Sequence, residues 1–317
     1  MLTRTISEYI YDLSFVYVPS YGYAAAVSYV VLILIIILTI VQKGMTVKRN
    51  EKIRNLGKHI FLILFSFICI FPFYWMIVSA TNESKDITMG KLSFGSALMK
   101  NIGNAFANTD IVHAFLNSAF LAIVITVLSL LICSVAGYAF VIYSDKSKNI
   151  LFMALIASMM VPFAAKIIPM FRIFSNLGLL NSFSAIILPA IGTPFLVFFF
   201  KQNTHAFPVE TIQAARVDGL GEYGIFFRIY MPMMKSTYAA AGIFAFMASW
   251  NNYMWPLIAL QSNDKFTLPL AVSNLAAGFT PDYGMVMVGI IISTIPTILV
   301  FFLLQKAFVE GMVGSVK

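Results

Sequence analysis

Seven long apolar stretches constrain the fold of this chain more than any other feature of its sequence. They run over Ala24–Val41, Ile60–Ala80, Ala114–Tyr143, Ile150–Ile168, Ala185–Phe200, Tyr238–Leu260 and Met285–Leu304. A helix that crosses a bilayer needs about 20 mostly apolar residues, whereas the strands of a membrane barrel alternate apolar and polar residues. These stretches are continuously apolar, so the sequence predicts an all-α, polytopic membrane helix bundle.

The composition excludes the main alternatives to a membrane protein. Of the 317 residues, 60% are hydrophobic and 11% are charged, against roughly a quarter charged in ordinary soluble domains. Intrinsic disorder requires the opposite balance of low hydrophobicity and high charge. The two cysteines, Cys69 and Cys133, both lie in apolar stretches and predict no disulfide scaffold.

The polar connections differ in their content of basic residues. The segments 43–58, 144–149 and 201–237, with the tail, carry twice as many Lys and Arg residues as the connections that alternate with them. Basic residues accumulate on the cytoplasmic side of membrane proteins, so we expect these segments, and both ends of the core after residue 57, to be cytoplasmic. Since the net charge of +8 has the same origin, we predict a lipid bilayer and no nucleic acid as its partner.

The connection 201–237 has the pattern of two short helices. Pro208 favours a helix start, Val209–Val217 follows as a helix, and Gly219 is typical of a helix end. A second helix is predicted over Glu222–Tyr230, before Pro232. The side chains predicted to form their apolar faces are Ile212, Ala215, Val217, Ile225, Phe226, Ile229 and Tyr230. These faces either contact a partner protein or pack beneath the same bundle, and the residues alone leave both alternatives open.

Some polar and aromatic side chains lie inside the apolar stretches, where contact with lipid is unfavourable. Those predicted to line a translocation path are Asn117, Trp250, Asn251, Asn252 and Trp255. Amides combined with aromatic rings are typical of carbohydrate binding. The alternative for each residue is packing between helices, which uses the same residue types.

No motif for chemistry is present in the sequence. It lacks a phosphate-binding Gly-x-x-x-x-Gly-Lys-Ser/Thr loop, and its histidines, His59, His113 and His205, are too scattered to predict a metal site. We therefore expect a protein that is not an enzyme and has no cofactor. Ion-coupled secondary carriers need coordinating groups in the membrane, and no acidic residue lies deep in the core stretches. Such a carrier, working without an ATPase, is the alternative function.

Several motifs in order along the chain resemble those of sugar permeases. Gln213-Ala-Ala-Arg-Val-Asp-Gly219, followed by Ile229-Tyr-Met-Pro232, resembles the cytoplasmic loop by which ABC importer permeases bind their ATPases. Further matching stations are Asn117-Ser118, Ala136–Ala139, Pro162 with Ile168-Pro169, Leu177–Asn181, Ser249–Pro256, Phe266–Pro269 and Val309–Lys317. From about residue 57 onward, the chain is similar to the smaller, MalG-like permease of the maltose-transporter family.

The resemblance implies a six-helix permease core in the plasma membrane of a prokaryote. It implies a second permease as heterodimer partner, two cytoplasmic ATPases that carry out ATP hydrolysis, and an extracytoplasmic solute-binding protein. The residues it assigns to ATPase coupling, within 208–232, are Glu210, Gln213, Ala214, Ala215, Asp218, Gly219, Ile229 and Pro232. Those it assigns to a C-terminal ATPase contact are Gly311, Gly314 and Lys317.

The chain departs from the family pattern at two places. Gln213 stands where the family usually has glutamate, so a neutral hydrogen bond would replace a charged contact with the ATPase. The second departure is an N-terminal extension, residues 1–57, with an extra transmembrane helix and a basic linker ahead of the permease domain, 58–317. Residues 1–45 are a functional helix, a fusion remnant or an unused upstream start, and the sequence leaves these three alternatives open.

Overall fold

The computed structural model describes the backbone of residues 51–277 and 281–313 and the side chains of 58–277 and 281–305. Within these ranges the regular structure is helical throughout. The helices are α1 Glu51–Ala80, α2 Ser84–Thr88, α3 Leu98–Asn108, α4 Ile111–Ile142, α5 Lys146–Ser158, α6 Phe163–Asn176, α7 Phe183–Ala190, α8 Pro194–Thr204, α9 Val209–Val217, α10 Glu222–Ile225, α11 Lys235–Trp250, α12 Met254–Ala259, α13 Leu268–Leu275 and α14 Tyr283–Val313. The extra helix predicted over Ala24–Val41 lies outside the described residues.

The described helices confirm the all-α membrane bundle. In residues 51–277 and 281–313, the segments long and apolar enough to cross a bilayer are Lys58–Ala80, Ile111–Ile142, Phe183–Thr204 and Tyr283–Gln305. The third of these combines α7 and α8. Backbone groups within a helix hydrogen-bond to one another, which is why helices suit the bilayer interior.

The stretch predicted as one span over Ile150–Ile168 is not one continuous helix. Helix α5 ends at Ser158, α6 begins at Phe163, and the two helices are bent by 104° at this break. Pro162 explains the break, because proline has no amide hydrogen to donate and its ring disfavours the helical conformation of the preceding residue. The two helices can form either one broken span or a loop that enters the membrane and returns.

The predicted span Tyr238–Leu260 is also interrupted. Helix α11 has 16 residues and ends at Trp250, and α12 resumes at Met254. Asn251 and Asn252 fall at the break, where short amide side chains compete with helical hydrogen bonding and favour helix ends. This break places amide and aromatic side chains beside an interrupted backbone.

The described residues divide into two units at residue 73, with 51–73 in the first and those from 74 onward in the second. In the first unit, the described apolar side chains of α1, such as those of Ile63 and Phe67, are exposed, as expected for a surface that faces lipid. In the second unit, α4 is the central helix and packs most extensively against α8 and α11. Helix α11 packs in turn on α14, so the interrupted helix lies inside the bundle.

Candidate functional site

The paired-helix segment, defined here as residues 209–233, contains the predicted coupling residues. The helix predicted over Val209–Val217 is confirmed with the same bounds. Gly219 ends it with a left-handed φ of +81°, Leu220 N donates to Ala215 O at 3.0 Å, and Gly219 N donates to Arg216 O at 3.1 Å. This is the Schellman arrangement, in which glycine closes a helix and turns the chain sharply.

The second predicted helix, Glu222–Tyr230, is also helical, although its latter part differs from a regular α-helix. Helix α10 ends at Ile225 and continues as a π-helical turn over Phe226–Tyr230, then as a short helix over Met231–Met233. A π-helical turn is rare and often occurs at functional positions. The turn brings Phe226 and Tyr230 onto the same buried side of the segment.

The apolar faces of the segment pack on the same chain. Ile212, Ile225 and Tyr230 are fully buried, and Tyr230 hydroxyl lies 2.6 Å from Thr204 Oγ1 at the end of α8. The side chains that form this cluster around Tyr138 of α4 are Tyr138, Phe207, Ile212, Ala215, Ile225, Phe226, Tyr230 and Met234. Of the two alternatives, packing beneath the same bundle therefore accounts for this face.

Tyr138 is the residue of α4 around which the segment packs. Its ring centroid lies 4.8 Å from that of Tyr230 and 5.4 Å from that of Phe226, both in edge-on arrangements. Aromatic pairs in this geometry contribute more than their buried area alone. The cluster therefore ties the segment to the end of α4 through stiff side chains.

A second contact between the segment and α4 is polar, and we name it the brace: Tyr143, Arg216 and Glu222. Arg216 Nε donates to Glu222 Oε1 at 2.7 Å, the Tyr143 hydroxyl donates to Glu222 Oε2, and the Arg216 guanidinium lies 5.8 Å from the Tyr143 ring centroid. The hydrogen bonds from Arg216 and then Tyr143 lower the pKa of Glu222. The carboxylate is therefore charged at neutral pH, and its contribution is lost only as the pH falls through that lowered pKa.

The opposite face of the segment is exposed. Glu210, Gln213, Ala214 and Asp218 are exposed, as is Gly219. Val217, predicted to be on the apolar inner face, is 88% exposed, so that prediction is wrong.

The remaining predicted coupling residues differ in their surroundings. Ala215 is buried, Ile229 is half-buried and Pro232 is exposed. Gly311 lies near the end of α14, while Gly314 and Lys317 lie outside the described residues. The exposed side of α9, which we call the ridge and which carries Glu210, Gln213, Ala214, Val217 and Asp218, is a surface of the segment that is open to a partner.

Three of the residues predicted to line a translocation path make structural contacts in the bundle. Asn117 Nδ2 donates to the carbonyls of Asp264 and Phe266 at 2.9 and 3.0 Å. Trp250 is buried and donates to Ser293 O at 2.8 Å, and Trp255 is buried and donates to Ala185 O at 2.8 Å. Each side chain therefore holds two parts of the bundle together, as in the helix-packing alternative.

Asn251 and Asn252 are placed differently. Asn252 is half-buried, whereas Asn251 is exposed and lines a groove with Tyr253 and Ser273. Ser273 and the brace residues Tyr143 and Glu222 are not among the predicted site residues. Polar residues in an apolar helix were the available signal for the groove, but nothing in the sequence pairs Tyr143 with Glu222.

Among the described residues, no group of three or more His, Cys, Asp or Glu side chains could hold a metal ion. His113 is exposed near the start of α4, and His205 is exposed after α8. Two features describe the site: the inner face of the paired-helix segment, which packs on α4, and the exposed ridge of α9.

Comparison with known families identifies this architecture. Residues 130–314 match the model of the binding-protein-dependent transport system inner membrane component. The chain belongs to this family. The matched region contains the paired-helix segment, the brace and most of the bundle.

Individual relatives agree with this membership. The chain is 48% identical over 273 residues to the lactose transport system permease protein LacG of Rhizobium radiobacter, covering 86% of this chain and 100% of that protein. It is 36% identical over 258 residues to the arabinooligosaccharides transport system permease protein AraQ of Halalkalibacterium halodurans, covering 80% and 92%.

A solved structure shares the fold. The crystal structure of a bacterial ABC transporter involved in the import of the acidic polysaccharide alginate matches with a TM-score of 0.73 and 19% identity, over 83% of this chain and 99% of that one. At this identity the match supports the permease fold alone.

Proposed function

We propose that this chain is a permease subunit of an ABC importer for sugars or oligosaccharides and forms half of its translocation path. The observation that carries the proposal is the two-sided paired-helix segment, whose inner face is anchored to α4 while the ridge of α9 is exposed. A rigid lever needs both features: a fixed attachment to the transmembrane helices and a free surface for the protein that moves it. The sugar relatives LacG and AraQ support the substrate class.

The partners follow from the same proposal. A second permease would complete the path, two cytoplasmic ATPases would hydrolyse ATP beneath it, and an extracytoplasmic binding protein would deliver the solute. The segment 208–232 would then face the cytoplasm, in the plasma membrane of a prokaryote. Residues 58–317 would act as the permease domain, with 1–57 as an N-terminal extension. An ion-coupled carrier without an ATPase has no support from the family or the relatives.

Crosslinking tests the contact between the ridge and an ATPase. In a chain whose Cys69 and Cys133 are replaced by alanine, Gln213→Cys should form a crosslink with a co-expressed ATPase, because Gln213 is exposed on the ridge. Asn176→Cys, exposed at the end of α6, is the control, since the proposal puts it on the external side. Mass spectrometry of the crosslinked product identifies the partner. Capture of the ATPase by Asn176→Cys but not by Gln213→Cys would contradict the proposed orientation.

The brace gives a second expected result. Tyr143→Phe removes the hydroxyl that donates to Glu222 but keeps the ring beside Arg216. Because the brace is partly exposed, its loss should lower solute uptake per ATP hydrolysed only about two- to fivefold. The ratio is measured with the complete transporter in proteoliposomes. Tyr223→Phe, on the exposed side of α10, is the matched control and should change nothing; equal losses in both variants would exclude a specific role for the brace.

A further inference from the structure

A groove of about 450 Å³ opens at the break after α11, between α13 and the middle of α14. Its polar side chains are Asn251, Tyr253, Ser273, Ser293, Thr294 and Thr297, and the others are apolar. Among the described residues that line it, none is charged. A volume of this size is in the range of small-molecule sites in proteins.

Two polar side chains of the groove, Asn251 and Thr297, have no hydrogen-bond partner among the described residues. The Asn251 amide is exposed and makes no side-chain hydrogen bond with any described residue. Thr297 Oγ1 is buried without a hydrogen-bond partner. By contrast, Thr294 Oγ1 donates to Ile290 O at 2.7 Å in its own helix. Buried polar groups are nearly always hydrogen-bonded, so Thr297 Oγ1 lacks an expected partner, and the exposed Asn251 amide is open to a ligand hydroxyl in the same groove.

The aromatic residue of the groove adds a second kind of contact. The Tyr253 hydroxyl accepts from Ser273 Oγ at 3.1 Å and keeps its own proton for a further acceptor. Tyr253 also lies at the interrupted backbone after Trp250, and irregular backbone at membrane depth is tolerated where it is buried in protein or lines a water-filled cavity. A polar groove on such a break is unsuited to lipid.

We propose that this groove is the place where this subunit itself contacts the solute, and that the solute is a neutral saccharide. This inference rests on the proposed function and adds the site and the charge of its ligand. Amide and hydroxyl groups match sugar hydroxyls, and Tyr253 and Val272 match the apolar face of a sugar ring. An acidic saccharide would bring carboxylates into a groove that offers no cation, which is unfavourable in a low-dielectric setting. The alternative occupant is a helix of the second permease.

The test uses the complete transporter with its binding protein in proteoliposomes. Uptake of lactose, arabinotriose and an alginate trisaccharide is measured together with ATP hydrolysis. We expect uptake of at least one neutral probe and not of the acidic one. Asn251→Leu and Thr297→Val each remove hydrogen-bonding groups but keep the branching of the side chain, so each should lower neutral uptake about tenfold while hydrolysis stimulated by the binding protein stays within twofold. Thr126→Val, in α4 and outside the groove, removes an equally buried and unpartnered hydroxyl and should leave uptake unchanged.

The outcomes separate this inference from the function on which it rests. Unchanged uptake in the double variant Asn251→Leu/Thr297→Val, or preference for the acidic probe, would overturn the saccharide groove and leave the permease function standing. Loss of the second permease from the purified complex of these variants would also overturn it, since the groove would then be a contact between subunits. If the unmodified complex neither binds an ATPase nor takes up any probe, the proposed function fails and this inference fails with it.

Discussion

Replacing Gly219 with valine should leave the chain in the membrane and bound to its partners but lower solute uptake at least tenfold, with ATP hydrolysis within about twofold of the unmodified rate. Gly219 has a φ of +81°, and a side chain there costs about 1–2 kcal/mol, more for a β-branched residue. An added Cβ meets nothing within 4 Å, so the cost is conformational. Valine would unwind the turn after α9 and loosen α9, which carries the ridge, from the second helix of the segment and from Glu222 of the brace.

The neighbouring glycine supplies the control for this experiment. Gly221 has an ordinary φ of −71°, and an added Cβ there also meets nothing within 4 Å. Gly221→Val should therefore retain uptake, and Gly219→Asn should lie between the two valine variants because asparagine tolerates the left-handed region. Uptake and hydrolysis are measured on the same proteoliposomes. Normal uptake by Gly219→Val would show that a rigid turn is not needed for coupling.

The bounds of α9 could be predicted because their signals are local. Pro208 and Gly219 act on their own backbone, so the sequence alone is enough to identify them. The periodicity could also have corrected the error at Val217, because residues 100° apart on a helix place it about 140° from Ile212, away from the buried face. Local rules thus determine where this helix begins and ends and which side it buries.

The contacts of the tryptophans and of the brace could not be predicted in this way. Trp250 donates to a carbonyl 43 residues away, Trp255 to one 70 residues away, and Tyr143 is separated from Glu222 by 79 residues. The residue types of the two tryptophans led to the prediction of a sugar path, and the structure adds that each indole N–H holds a distant backbone carbonyl. Which polar groups remain unpartnered depends on the tertiary fold, so Thr297 could be found only in the structure.

Replacing Gly137 with alanine should destabilise the bundle by about 1–3 kcal/mol, the usual cost of overpacking a core. An added Cβ would lie 2.6 Å from Phe200 Cβ and 2.8 Å from the backbone nitrogen of Lys201, both in α8. Because a backbone atom cannot rotate away, α4 and α8 would have to separate. Small residues at such crossings are typical of membrane helices. The measurement is the thermal unfolding midpoint of the purified chain in detergent.

Gly242, in α11, is the matched control because it is also a buried helical glycine. An added Cβ there would lie 3.7 Å from Leu130 Cδ1, an ordinary contact, and alanine favours a helix over glycine by about 1 kcal/mol. Gly242→Ala should therefore unfold at the same temperature as the unmodified chain or at a higher one. An unfolding midpoint of Gly137→Ala equal to that of the unmodified chain would contradict the close crossing.

Tyr138, the residue around which the paired-helix segment packs, follows Gly137 directly. Separation of α4 from α8 should therefore also weaken coupling. In Gly137→Ala, uptake per ATP should therefore fall together with stability, while Gly219→Val should lower uptake alone.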